Sequence, residues 1–137
     1  MLLFTMVHAQ KMNDKEASQL LNKGWNCLKT NDTTSFINFW SLNDSISIHH
    51  RRPHKKQEII ANFNAMKEWL DTAIQRKLNI EWVDITRQNL KGTDTKYWVQ
   101  AWFKYDEHYY KGFGFYVAYM NKRWIVRDDA STSSMRK

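Results

Sequence analysis

The run His49-His50-Arg51-Arg52-Pro53-His54-Lys55-Lys56 packs three imidazoles and four permanent cations into eight residues, so candidate chemistry begins there. By strand alternation His50 shares a side with Ile46 and Ile48, and Asp128 shares its parity with Trp124 and Val126. A carboxylate orienting an imidazole that titrates near neutral pH would be a general acid–base pair, which makes His50 and Asp128 the catalytic candidates. The simpler reading has His50 ending a strand at a rim and Asp128 pairing with Arg127 or another surface cation. It asks for less, because spacing alone does not bring the two residues together. Arg51, Arg52 and Lys55 could seat an anion, helped by the outward N–H groups of a following helix, or could form a solvated connection. Metal is not expected: His49 and His50 point to opposite sides of a strand, no Cys or carboxylate stands at a ligand spacing, and the cations would repel a metal ion. No cofactor is expected either.

Other chemistries leave weaker traces. There is no G-x-G-x-x-G, phosphate-binding loop or G-x-S-x-G pattern. Cys27 lies beside core positions of a helix, where a buried and inert thiol is the ordinary outcome. The formal charge of +7, from 21 Lys and Arg against 14 Asp and Glu, together with 15% aromatic residues, invites a comparison with nucleic-acid binders. Most strand aromatics fall on the core side, however, and the positive charge is not gathered on one strand face. No nucleic-acid partner is expected.

These side chains need elements to hold them. The 137 residues suit one domain, and 42% apolar content with one Pro and four Gly excludes disordered and collagen-like classes. A single cysteine cannot form an internal disulfide. No stretch approaches the roughly 20 apolar residues of a membrane-spanning helix. Residues 1–7 are almost wholly apolar, and Val7-His8-Ala9 has the small-residue spacing of a signal-peptidase site, so we expect export with cleavage before Gln10. The alternative is a cytoplasmic protein with an ordinary start. The chain thus divides into a leader-like segment 1–9, one domain over 14–130 and a polar, flexible tail over 131–137.

Within the domain, Ala17, Leu20, Leu21, Trp25 and Leu28 recur at helical intervals and predict a helix over 14–29 with Asp14 as its cap. Asp32 can cap a second, short helix bearing Phe36, Ile37, Phe39 and Trp40. Alternation over 45–49 predicts a short strand, and Ile59, Phe63, Met66, Leu70 and Ala73 predict one long helix over 54–77. Strands follow over 79–90, 95–106, 110–120 and 123–129, separated by turn-forming residues. The sum is an α+β domain: three N-terminal helices packed on a strongly bent antiparallel sheet. Parity puts Tyr97, Val99, Ala101, Phe103 and Tyr105 toward the helices with Phe113, Phe115, Val117 and Tyr119 beside them. Trp25, Trp40 and Trp69 from the helices could then meet Tyr97, Tyr105 and Phe113 from the sheet, lining a pocket or simply filling a core. On the outer side Trp98, Trp102 and Tyr116 form an aromatic face that suits a homodimer.

The order of elements and several local runs resemble the nuclear transport factor two-like superfamily, also called the SnoaL-like or cystatin-like α+β cone. The resemblance covers 14–130. It is carried by Gly24-Trp25, Asn31-Asp32, Phe36, Phe39-Trp40 and Asp44-Ser45-Ile46-Ser47-Ile48-His49, by Gln57-Glu58-Ile59-Ile60-Ala61-Asn62-Phe63 with Gln57 where the family usually has Gly, and by the closing Asn121-Lys122-Arg123-Trp124-Ile125-Val126. The resemblance implies a conical half-barrel with a pocket between sheet and helices and frequent dimerisation through the outer sheet face. It does not imply one activity, and the Tyr and Asp acid–base set of the family's isomerases has no match here. The expected function is therefore binding of a small apolar or amphipathic molecule, with an acid–base isomerase, dehydratase or hydrolase as the alternative.

Overall fold

A computed structural model describes residues 11–39, 56–89, 95–120, 122–126 and 131–132. The first helix, α1 (Asp14–Thr30), starts in a capping box in which Asn13, not Asp14, is the cap: Asn13 Oδ1 accepts from the Glu16 amide and Glu16 Oε1 accepts from the Asn13 amide. Asp14 instead sits in the first turn, where its charge suits the helix dipole. At the other end Asn31 takes the left-handed conformation with φ 57°. Its side chain accepts a bond from Lys67 Nζ at 2.6 Å, tying this end of α1 to the third helix. The second helix, α2 (Thr33–Ile37), is capped by Asp32, which accepts from both the amide and the hydroxyl of Ser35 and buries Phe36 and Ile37.

The single long helix expected over 54–77 is two helices, α3 (Lys56–Trp69) and α4 (Asp71–Gln75). Leu70 departs from helical geometry with ψ 15°, although the Leu70 and Ile74 amides still bond to Met66 O and Leu70 O. These two bonds span the interruption between α3 and α4, and Leu70 enters the core completely. Ile59, Phe63, Met66, Leu70 and Ala73 form the buried stripe. Trp69 precedes Leu70 by one residue, about 100° around the axis, and is 38% exposed. It does not join Trp25.

The sheet is antiparallel in the order β1 (Ile80–Asn89), β2 (Thr95–Tyr105), β3 (His108–Met120) and β4 (Arg123–Val126). A two-residue strand, β5 (Ser131–Thr132), pairs with Phe113 and Gly114 of β3, so the first residues of the polar tail extend the ladder. The β2–β3 hairpin turns through Asp106 and Glu107, both with positive φ, so β3 starts two residues earlier than its sequence pattern suggests. The inward parity of β2 holds: Tyr97, Val99, Ala101 and Phe103 are buried, as are Phe113, Phe115 and Val117 of β3. Trp25 is the hub of this core, since it is 1% exposed, lies 4.8 Å from Phe103 and 6.0 Å from Phe113, and donates its indole N–H to Leu78 O. Phe36 joins it by packing on Phe63 and Phe115. Each such side chain contributes about 1.5–3 kcal/mol through burial.

Regular alternation breaks once in this hairpin. Between Gln100 and Trp102 the register slips, so that Gly112 and Phe113 together oppose Ala101. The buried Gln100 side chain donates to the carbonyls of Ala101 and Phe113 and accepts from Trp98 Nε1. A polar side chain thus supplies bonds that the interrupted ladder does not. Gly114 permits the arrangement: a Cβ there would stand 2.4 Å from the Trp98 ring and 2.6 Å from Val99 O.

Candidate functional site

A concavity among the described residues lies at one edge of the helix–sheet interface, between α1, the end of α2 and the β3–β4 hairpin. Glu16, Gln19, Leu20 and Lys23 follow the i, i+3, i+4, i+7 rule and present one stripe of α1 to it. Asn38 and Phe39 come from the end of α2, and Tyr119, Lys122, Arg123 and Trp124 from the hairpin. The cleft has a volume of about 460 Å³. Its inner part is apolar, with Leu20 buried and Phe39 and Trp124 half-buried, while Gln19, Lys23, Asn38, Lys122 and Arg123 stand exposed around it.

Three long-range bonds hold its walls together. Trp124 Nε1 donates to Glu16 Oε2 at 2.7 Å, joining β4 to the first turn of α1. Val126 N donates to Phe39 O at 2.8 Å and Arg123 Nη1 to Asn38 O at 3.3 Å, fastening the same strand to the end of α2. Tyr119 and Tyr97 meet the Trp124 ring edge-on, with centroids 5.3 and 5.7 Å away. Glu16 is the central element, because one oxygen serves the capping box and the other the indole. Three cations and one carboxylate line the cleft, so it is electropositive.

The residues singled out from sequence are distributed differently. Trp25 and Phe113 meet in the core with ring centroids 6.0 Å apart, whereas Tyr97, also buried, packs its ring on Trp124 of the cleft wall instead. Tyr105 is half-buried under the Arg76 guanidinium at 5.6 Å, apart from them, and Trp69 faces outward. Trp40, His50, Arg51, Arg52, Lys55 and Asp128 lie outside the described residues. Cys27 is buried, and burial followed by the nearby Asp32 charge pushes its thiol pKa up, which disfavours the reactive thiolate. Among the described residues no three His, Cys, Asp or Glu side chains converge as a metal site. The residues missed were those of the cleft. Their one signal in the sequence was the row Glu16, Gln19, Leu20 and Lys23, whose polar members looked like an ordinary solvated face.

The outer sheet face is aromatic, but its exposed centre is displaced from the expected one. Trp98 folds over Gly114 and packs on Tyr116, whose ring also receives Lys96 Nζ at 3.9 Å, so both aromatics are half-buried within their own chain. Trp82 and Tyr109, neither anticipated, are 37% and 51% exposed. They group with Trp102: the Trp82 and Trp102 rings stack at 5.1 Å, Tyr109 meets Trp82 edge-on at 4.7 Å, and Trp102 donates to Asp84.

No described helix is long and apolar enough to cross a membrane. The α+β architecture, with helices against an antiparallel open sheet, is the class expected from the sequence. No family model matches the chain, and no curated protein matches it. The chain is similar to a solved structure named Rd1NTF2_05, in a form carrying five substitutions, with 8% identity, a TM-score of 0.40 and coverage of 85% of this chain and 96% of that one.

Proposed function

We propose that the protein binds a small amphipathic molecule in the cleft between α1 and the β3–β4 hairpin. The observation that carries this reading is the cleft itself: about 460 Å³, an apolar interior at Leu20, Phe39 and Trp124, and a few polar groups around it. Ligand sites commonly occupy about 300–1,000 Å³ and combine apolar walls with sparse polar fixtures. The Glu16–Trp124 bond fixes one wall before any ligand arrives, which lowers the ordering cost of binding. Amide and indole NMR titration with a panel of small amphiphiles tests this. Shifts gathered at Gln19, Leu20, Lys23, Tyr119 and the Trp124 indole are expected; binding that perturbs only other residues would remove the reading.

The same reading includes a homodimer formed through the outer sheet face around Trp82, Trp102 and Tyr109. Asp84 on β1 and Lys104 and Lys111 on β2 and β3 lie on that face, so a two-fold arrangement can set each copy's lysines against the other's aspartate. For location we retain export. Cleavage before Gln10 would leave the Asn13–Glu16 capping box whole. N-terminal sequencing of the protein recovered outside the cytoplasm tests it, and an intact Met1 throughout would count against it.

A further inference from the structure

We infer that the ligand of this cleft is an organic anion with an apolar body, an inference that rests on the cleft being a binding site. Lys23, Lys122 and Arg123 reach it from two different elements, α1 and the β3–β4 hairpin. Lys23 and Lys122 have neither a hydrogen bond nor an ion pair among the described residues. Arg123 gives one bond, to Asn38 O, and keeps the rest of its guanidinium fork for another acceptor. The opposing carboxylate is already engaged, because Glu16 Oε1 accepts from the Asn13 amide and Oε2 from the Trp124 indole. The cations therefore have no carboxylate of the cleft left to pair with.

Charge and shape then select the ligand together. A neutral apolar molecule would fill the interior at Leu20, Phe39 and Trp124 while partly desolvating the cations without pairing them. A cationic molecule would meet three like charges. Inorganic phosphate would satisfy the cations but leave the apolar interior wet. An amphipathic anion does both tasks, with its carboxylate- or sulfonate-type head among Lys23, Lys122 and Arg123 and its body against Trp124 and Phe39. Arg123 suits such a planar or multidentate head better than a point charge would.

Two fluorescent probes of nearly the same ring structure test this on the full chain: anilinonaphthalene sulfonate, which is anionic, and phenylnaphthylamine, which is neutral. We expect the sulfonate to bind about tenfold more tightly, with an advantage that shrinks as salt rises. The double variant Lys23→Glu, Lys122→Glu, which keeps the wall bond from Arg123 to Asn38 O, should erase that advantage by weakening the sulfonate far more than the neutral probe, with circular dichroism confirming the fold. All three cationic side chains are exposed, so these changes do not disturb the core. Equal affinity of the two probes, or a double variant that binds the sulfonate like the wild type, overturns the anion assignment while the cleft stands as a binding site. Binding abolished by Trp82→Ala, or absent for both probes, overturns both readings.

Discussion

Glu16 shows how much one side chain can hold. It closes the capping box that starts α1, and it fixes the Trp124 indole that forms a wall of the cleft. A capping interaction is worth about 1 kcal/mol, and a hydrogen bond to a charged group about 1.5–3 kcal/mol. Because this site is half-exposed, we expect Glu16→Ala to lower the unfolding free energy by about 2 kcal/mol. Glu16→Gln, which keeps one of the two acceptor oxygens, should recover only part of that loss. Urea unfolding of the two variants checks the order; equal losses would show that the carboxylate is not doing both tasks. Asp32 plays a related but local part at α2, where the hydroxyl and amide of Ser35 hold its pKa below the ordinary carboxylate value. That contribution is present above the unfolded-state value and fades as pH falls toward the folded one.

Among the elements, the β2–β3 hairpin departs most from a regular ladder. Its bulge leaves the Ala101 and Phe113 carbonyls to the Gln100 amide, while Gln100 Oε1 receives the Trp98 indole. Gln100 is 3% exposed, so water cannot readily replace it. Removing it would strand two acceptors and one donor. We expect Gln100→Leu, close in volume and wholly apolar, to destabilise the protein by about 3 kcal/mol. A measured loss below about 1 kcal/mol would mean that the bulge relaxes into a regular ladder once the side chain is gone. The interruption at Leu70 follows a similar logic, with local regularity relinquished so that a large side chain can enter the core.

For the molecule as a whole, the two faces of the sheet have different tasks. The inner face packs against α1, α2 and α3 through Trp25, Phe36 and the phenylalanines of β2 and β3. The outer face leaves Trp82 and Tyr109 exposed although both make ring contacts in one cluster. If that face joins two copies, static light scattering at micromolar concentration should give twice the chain mass, and Trp82→Glu should halve it. A wild-type protein of single-chain mass would dispose of the dimer. The variant lies far from the aromatic core around Trp25, so it should retain the native circular dichroism spectrum.

By itself the sequence determined what depends on local periodicity. The stripe on α1, the Asp32 cap and the inward parity of Tyr97, Val99, Ala101 and Phe103 each follow from neighbours within a turn or two, and the α+β class follows from their order. Tertiary structure decided what depends on long-range partners. Glu16 and Trp124 are 108 positions apart, and no local pattern in the chain could announce their bond. The bulge at Ala101 also lay beyond alternation, because it exists only when β2 and β3 are paired and Gln100 reaches across to Phe113. The aromatic residues were visible as a class from the start. Whether each became core, cleft wall or exposed platform depended on which strand and helix surfaces came together, and only packing settles that.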